Sequence, residues 1–255
     1  MEWATYLEHI RLDAGILSEM AKLGLDADVP CCTGWTVLDL IGHVGEIYEG
    51  RAAIVEEGRT ERPTARPVAP SEDLVEWFDT AAAHLVAVLS DHDPDEPVWT
   101  FYPPDQTVGF WYRRMAHESL IHRVDGEQAH GRPSDIDEAL AADGIDEILS
   151  VMMSGSRPWG TLILDDRAAR LEVPSRSWTV QLGAFSGTSP GSGRVFDNLP
   201  ALEVVDPAVS FRTVVSGSAG SMDLWLWGRG RLRRLTLQGD RSIVKAIRAV
   251  AAAVT

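Results

Sequence analysis

The first half of the chain contains four long segments in which apolar residues recur at intervals of three and four positions. This spacing places the apolar side chains on one face of an α-helix. The predicted helices cover residues 2–23, 36–57, 71–90 and 108–130, and Ser71 is the expected cap of the third. Four helices that each have one face to bury predict a four-helix bundle over residues 1–134.

The second half has a different pattern, in which short runs of β-branched and aromatic residues are separated by turns. One more helix is predicted over residues 135–153, strands over 161–164, 178–182, 201–205, 210–215 and 235–238, and helices over 219–227 and 240–254. This mixture predicts a small C-terminal α/β domain over residues 135–255. The predicted fold class is therefore α+β, with the helix bundle first.

The fourth predicted helix carries a carboxylate and an imidazole at a spacing that suits a metal ion. Glu118 and His122 are four residues apart, so they lie about 40° apart on one helix face. Met115, Ile121 and Val124 place apolar groups beside them. An acid and a histidine on a face that is to be buried are costly unless something compensates them, and a divalent metal would do so.

A third ligand is expected from the second predicted helix. Thr36 followed by Asp39 resembles a capping box, which predicts that the helix starts there. His43 lies three residues after Leu40 and four before Ile47, inside the apolar stripe, so we expect it to point toward a core. Two histidines and one glutamate form a common catalytic zinc site, whose fourth position stays open for water or substrate.

Each of these residues, taken alone, also has a simpler explanation. A histidine on an apolar face is more often a core residue bonded to a backbone carbonyl, and a Glu/His pair at this spacing is often a surface pair. The occurrence of His43, Glu118 and His122 together favours a metal site, but the simpler explanations stay open. Asp125 shares the face of His122, where it either orients that histidine or is a solvated charge near the helix end.

Composition excludes several kinds of partner. The formal net charge of −15 argues against a nucleic acid or an anionic membrane surface. No apolar run approaches the roughly 20 residues of a membrane span, and the N-terminus lacks the features of a signal peptide, so we expect a cytoplasmic protein. Cys31 and Cys32 are adjacent, which leaves no disulfide framework and no Cys-x-x-Cys pair. They are expected as small buried residues, or one of them lies near the metal.

Several stretches of the sequence resemble a known family. They are residues 32–43, residues 113–118 with 122–125, and in the second half residues 139–147, 216–219 and 223–229. These stretches resemble the mycothiol-dependent maleylpyruvate isomerase family, which belongs to the DinB-like superfamily of metal-binding four-helix bundles. The resemblance extends over nearly the whole chain.

This resemblance implies a DinB-like bundle that holds a divalent metal, usually zinc, on His43, Glu118 and His122. It also implies mycothiol, a low-molecular-weight thiol, as cosubstrate or cofactor, together with a small electrophilic substrate. Arg229 ends the family-like Trp-Gly-Arg stretch, and we choose it as the candidate catalytic residue because its guanidinium would suit a carboxylate. The donor set also accepts nickel, iron or manganese.

Three functions follow from this combination of residues and resemblance. In the leading hypothesis a zinc-bound thiolate attacks an electrophilic carbon, which gives a thiol S-transferase or, if the thiol is later expelled, a cis–trans isomerase. The second hypothesis is a metal-binding or small-molecule-binding module without catalysis. The third is a metal-dependent hydrolase in which water takes the open position.

Overall fold

The computed structural model describes residues 1–190 and 192–254. The chain divides into two compact units, Met1–Asp135 and Ile136–Thr255. The first is helical and the second contains a sheet, so the predicted α+β class is confirmed. Among the described residues, no helix is both long and apolar enough to cross a membrane.

The helical unit consists of four long helices around one core. They are α1 (Trp3–Leu23), α2 (Val37–Glu56), α3 (Leu74–Asp91) and α4 (Val108–Ala129). Helix α1 packs against α3 and α4, and α2 also packs against α3 and α4. Large side chains from all four helices are fully buried between them, namely Ile10, Leu17, Leu40, Ile41, Phe78, Leu85, Trp111 and Leu120. Burial of each such side chain stabilises the fold by about 1.5–3 kcal/mol.

Helix α4 is buried on nearly all sides although its sequence is polar. Its polar groups find partners on neighbouring helices, because an unpartnered buried polar group is costly. Arg123 forms an ion pair with Asp13 of α1 at 3.0 Å, and Ser119 shares a hydrogen bond of 2.7 Å with Tyr48 of α2. The middle of the bundle is therefore a polar network rather than a purely apolar core.

Helices α2 and α3 approach closely at a glycine. A Cβ atom built on Gly45 would lie 2.3 Å from Cζ3 of Trp77, which is far inside van der Waals contact. The ring of Trp77 thus occupies the space that any larger residue at position 45 would need. This contact fixes how near α2, which carries His43, comes to its neighbour.

The second unit is built on a mixed sheet. Its strands are β1 (Gly160–Val173), β2 (Arg176–Thr188), β3 (Val195–Val205), β4 (Thr213–Ser216) and β5 (Thr236–Gln238). Over the described residues the strand order is β3-β2-β1-β4-β5, with β1 parallel to β4 and the other neighbours antiparallel. The helices are α5 (Glu138–Glu147), α6 (Ala219–Leu226) and α7 (Arg241–Ala252), and α7 packs against β1, β2 and β3.

Several predicted elements differ from the structure, and among them β2 and β3 are both longer than the predicted strands 178–182 and 201–205. Ser71 does not cap α3, because Asp73 precedes the helix in a left-handed conformation (φ 53°) without a side-chain cap. The predicted helix over residues 135–153 ends as α5 at Glu147, and a π-helical turn, Ile148–Met152, follows it. Strand β1 continues well past its predicted end, because an irregularity between Leu164 and Ala168 accommodates the charged residues there.

Candidate metal centre

Helix α2 positions His43 through the way the helix begins. The Thr36 side chain accepts a hydrogen bond from the Asp39 backbone N–H, and the Asp39 carboxylate accepts one from the Thr36 N–H at 2.8 Å, so the predicted capping box is confirmed. The ring of His43 then lies edge-on to Trp35, with centroids 4.9 Å apart. His43 does not point into a closed core as the apolar stripe predicts: its side chain is 38% exposed because it borders a cavity.

Helix α4 supplies two further groups from successive turns. The side chains of Glu118 and His122 are 15% and 10% exposed. Oε1 of Glu118 lies 3.3 Å from Nε2 of His122 and 3.9 Å from Nε2 of His43. The rings of His43 and His122 are T-shaped to each other, with centroids 5.2 Å apart. Two helices that are distant in sequence therefore bring one carboxylate and two imidazoles together.

The three groups lie close to the spacing that a tetrahedral zinc ion requires. One nitrogen of each histidine and one oxygen of Glu118 all lie within 4.8 Å of one another. Ligand atoms about 2.0–2.1 Å from a tetrahedral zinc ion are separated by about 3.3 Å, so the observed separations need only small side-chain adjustments. The donor set of two nitrogens and one oxygen also suits zinc, and the residues present fit a divalent metal.

Arg114 compensates the buried carboxylate. It lies one turn before Glu118 on α4, and its guanidinium donates a hydrogen bond to Oε2 of Glu118. Burial alone would raise the pKa of Glu118, but Arg114 and His122 outweigh burial and lower it well below its usual value. Glu118 is therefore ionised, with Oε2 held by Arg114 and Oε1 directed at the two histidines.

Asp125 binds the ring nitrogen of His122 that does not face Glu118. Nδ1 of His122 donates a hydrogen bond to Oδ2 of Asp125 at 3.0 Å, which leaves Nε2 turned toward Glu118. Burial alone would lower the pKa of His122, but the hydrogen bonds to Asp125 and Glu118 raise it to about 9. Asp125 is fully buried, so its alternative as a solvated charge near the helix end is wrong.

The electrostatic setting of His43 is different. Burial and the nearby His122 lower the pKa of His43, although the carboxylates Glu118, Glu46 and Asp125 act in the opposite direction. His43 is thus neutral at pH 7, which is the form in which an imidazole binds a metal.

The adjacent cysteines are half-buried rather than fully buried. Sγ of Cys32 lies 3.7 Å from Oδ2 of Asp125, and Sγ of Cys31 lies 3.0 Å from Oε1 of Gln128. Cys32 therefore contacts the same carboxylate that holds His122. Neither thiol belongs to the group of atoms that surrounds the candidate metal position.

A cavity of about 1000 Å³ opens beside His43. One wall is a single face of α2, the second comes from residues 62–67, and the third comes from residues 99–106. Thr100 and Gln106 bind each other within the third wall, since Nε2 of Gln106 donates to Oγ1 of Thr100 at 2.6 Å. The cavity gives a small molecule a route to His43.

The structure brings four of the five predicted site residues together: His43, Glu118, His122 and Asp125. Arg229 lies in the second unit, just after α6, where its Nη1 donates to the carbonyl of Trp227 at 2.7 Å. Sequence reasoning missed the role of Arg114, although its position four residues before Glu118 was a usable signal. It also missed the cavity, because loops distant in sequence form two of its walls.

Comparison with known proteins gives matches in both halves. The sequence matches the Mycothiol maleylpyruvate isomerase N-terminal domain over residues 10–126 and the MDMPI C-terminal domain over residues 139–244. Crystal structures of the mycothiol-dependent maleylpyruvate isomerase and of a mutant form have TM-scores of 0.58 and 0.60. Each is 17% identical, with 93% of this chain and 93% of that chain covered, so the likeness shows the fold alone. No curated protein matches the chain.

Proposed function

Because this chain belongs to the mycothiol maleylpyruvate isomerase family, a family of enzymes, we propose that it uses a divalent metal and a low-molecular-weight thiol to convert a small electrophile. The preferred metal is zinc and the preferred thiol is mycothiol. One observation carries the proposal: His43, Glu118 and His122 offer three ligand atoms within 4.8 Å of one another, and His43 also lines a cavity.

In this proposal the three side chains hold the metal and their neighbours hold the side chains. Asp125 fixes the orientation of His122, and Arg114 occupies one oxygen of Glu118 so that the other remains available. When bound, a divalent metal supplies a positive charge that lowers the pKa of a thiol and so favours the nucleophilic thiolate.

The chain's own contribution to the reaction is to position the reactants. The thiolate sulfur forms a bond to an electrophilic carbon of a C=C bond, and the π electrons move to the adjacent carbon. After rotation about the resulting single bond, the electron pair on that carbon re-forms the C=C bond, the C–S electron pair leaves with the sulfur, and the isomer and the thiolate are released. If the adduct takes up a proton and leaves instead, the reaction is an S-transfer.

The first test is the metal content of the purified full-length protein. We expect about one zinc per chain in the wild type and its loss in His43→Ala and Glu118→Gln. The matched control is His84→Ala, because His84 lies on α3 near Glu49 and Glu56 and is not part of the three-residue group. Retention of zinc in both site variants would overturn the proposed ligands.

The second test is turnover of maleylpyruvate with zinc and mycothiol present together or singly. The proposal expects activity only with both, and loss of activity in His43→Ala. Activity that needs the metal but no thiol would instead support the hydrolase. Thiol binding without turnover of any electrophile in a panel would support a binding module.

A further inference from the structure

The cavity beside His43 carries an excess of positive charge. Arg51, Arg62 and Arg66 line it, and none of them forms an ion pair with any residue in the described ranges 1–190 and 192–254. The acidic residue on the wall is Glu46, whose Oε1 accepts a hydrogen bond from the backbone N–H of Ala69 at 3.0 Å. One carboxylate therefore faces three guanidinium groups, and the cavity favours an anionic occupant.

Arg51 is the least exposed of the three arginines. Its guanidinium carbon lies 4.7 Å from the centre of the Trp111 ring, and its Nε is buried without a hydrogen-bond partner among the described residues. Burial lowers the pKa of Arg51, and the nearby Arg114 and Arg66 lower it further, against the opposite effect of Glu118. A partly buried cation without a charged partner is costly, and an anion in the cavity that accepts hydrogen bonds from its terminal Nη–H groups would offset this cost.

The register of α2 places Arg51 on the same wall as His43. Residues 43, 46, 47, 50 and 51 all line the cavity, and this spacing of three and four defines one helix face. Eight residues correspond to about 12 Å along the helix axis. The Cα–Cβ bonds of a helix are tilted toward its N-terminus, so the Arg51 side chain leaves its backbone in the direction of the turn that carries Ile47 and, beyond it, His43.

We propose that Arg51 is a substrate-positioning residue that binds a carboxylate group of the electrophile and so holds the reactive carbon near His43. A guanidinium that packs on an aromatic ring presents its terminal Nη–H groups in its own plane, where the two can donate hydrogen bonds to one carboxylate. Arg62 and Arg66, which are exposed, attract the anion into the cavity. The placement of the reactive carbon near His43 rests on the proposed function. The binding of an anion by Arg51 does not rest on it.

The test is calorimetric titration of the full-length protein with maleate and with its neutral dimethyl ester. We expect the wild type to bind maleate and not the ester, Arg51→Met to weaken maleate binding at least tenfold, and Arg51→Lys to recover part of the loss. The control is Arg59→Met, since Arg59 is paired with Glu57 and does not line the cavity. Equal maleate affinity in Arg51→Met, equal binding of the ester, or no binding of maleate would overturn the proposal.

A kinetic measurement separates this proposal from the proposed function. With maleylpyruvate as substrate, Arg51→Met should raise the KM for the electrophile at least tenfold while the KM for the thiol stays unchanged. A general structural defect would alter both constants and the melting temperature. If no thiol-dependent turnover exists but maleate binding still depends on Arg51, the proposed function fails and the anion site stands. If turnover exists and is insensitive to Arg51, the anion site fails and the proposed function stands.

Discussion

At the scale of single residues, Glu118 is the buried carboxylate around which the other charged and titratable side chains of the candidate metal centre are arranged. Its two oxygens have different partners, since Oε2 is bound by Arg114 and Oε1 faces two histidines. A buried carboxylate without such partners would be strongly destabilising. Arg114 therefore determines that Oε1 is the oxygen available to the proposed metal.

Asp125 should affect metal affinity without touching the metal. Replacing Asp125 with Asn removes the negative charge that holds His122, and we expect zinc affinity to fall about 10- to 100-fold. Competition with a chromophoric chelator measures this change. The matched control is Asp26→Asn, an exposed residue of the same unit, which should leave the affinity unchanged. An unchanged affinity in Asp125→Asn would contradict the orienting role.

Metal uptake should depend on pH through His122. Its pKa of about 9 in the metal-free protein means that the ring carries a proton at pH 7 that a metal must displace. The apparent zinc affinity should therefore rise about tenfold per pH unit from pH 7 toward 9. His43, whose pKa is lowered, is already neutral and adds nothing in this range. Chelator competition at pH 7, 8 and 9 checks this, and an affinity independent of pH would show that His122 is not a ligand.

The sequence alone predicted that His43, Glu118 and His122 would lie together, because periodicity indicates which residues of each helix face the bundle interior, and the structure places their ligand atoms within 4.8 Å of one another. It did not identify Arg51, because nothing along the chain shows that Trp111 packs against its guanidinium or that residues 62–67 and 99–106 close a cavity around it. The spacing of residues along one segment does not show which residues from distant segments will contact it. For the same reason the choice of Arg229 rested on resemblance and not on geometry.

At the scale of elements, the close approach of α2 and α3 requires glycine at position 45, which has no side chain. Gly45→Ala would place a Cβ against the rigid ring of Trp77, and we expect a loss of about 1–3 kcal/mol in the free energy of unfolding. The control is Gly15→Ala in α1, where a Cβ meets nothing within 4 Å; it should stabilise the protein by about 0.5–1 kcal/mol. Urea unfolding of both variants measures the difference, and equal effects would contradict the close approach.

The helices were predicted better than their ends and better than the strands. Apolar periodicity over about 20 residues is a strong signal, and the capping box located the start of α2. The cap prediction at Ser71 was wrong because two further residues in a bend, Glu72 and Asp73, separate Ser71 from α3. Strand β1 was predicted too short because Asp165, Asp166 and Arg167 interrupt the alternation of apolar and polar residues. In the structure, β1 pairs with β2 both before and after these three residues, so the strand continues past them.

At the scale of the whole molecule, a ligand that binds only the folded chain must raise the melting temperature. Zinc at about 100 times its dissociation constant should stabilise the protein by about 2.7 kcal/mol. Differential scanning calorimetry with and without zinc measures this shift. His43→Ala is the control and should show no shift. A melting temperature that zinc leaves unchanged in the wild type would contradict binding to the native state.

The metal-free protein should also lose stability as pH rises. A folded-state pKa of about 9 for His122, above the usual 6.5, stabilises the fold fully below pH 6.5, and this contribution disappears as pH rises through 9. The size of the effect is roughly 3 kcal/mol. Urea unfolding of chelator-treated protein at pH 6.5 and 9 tests the sign. Greater stability at pH 9 would show that His122 is not held by its carboxylates.

The edge-on contact between Trp35 and His43 also has an optical consequence. An indole ring is fluorescent, and its emission is sensitive to the charge and coordination of an imidazole against it. With the ring centroids 4.9 Å apart, metal binding at the proposed site should change the emission of Trp35, one of nine tryptophans, and Trp35→Phe should remove that change. Intrinsic fluorescence of the unlabelled protein would then report whether the proposed metal site is occupied.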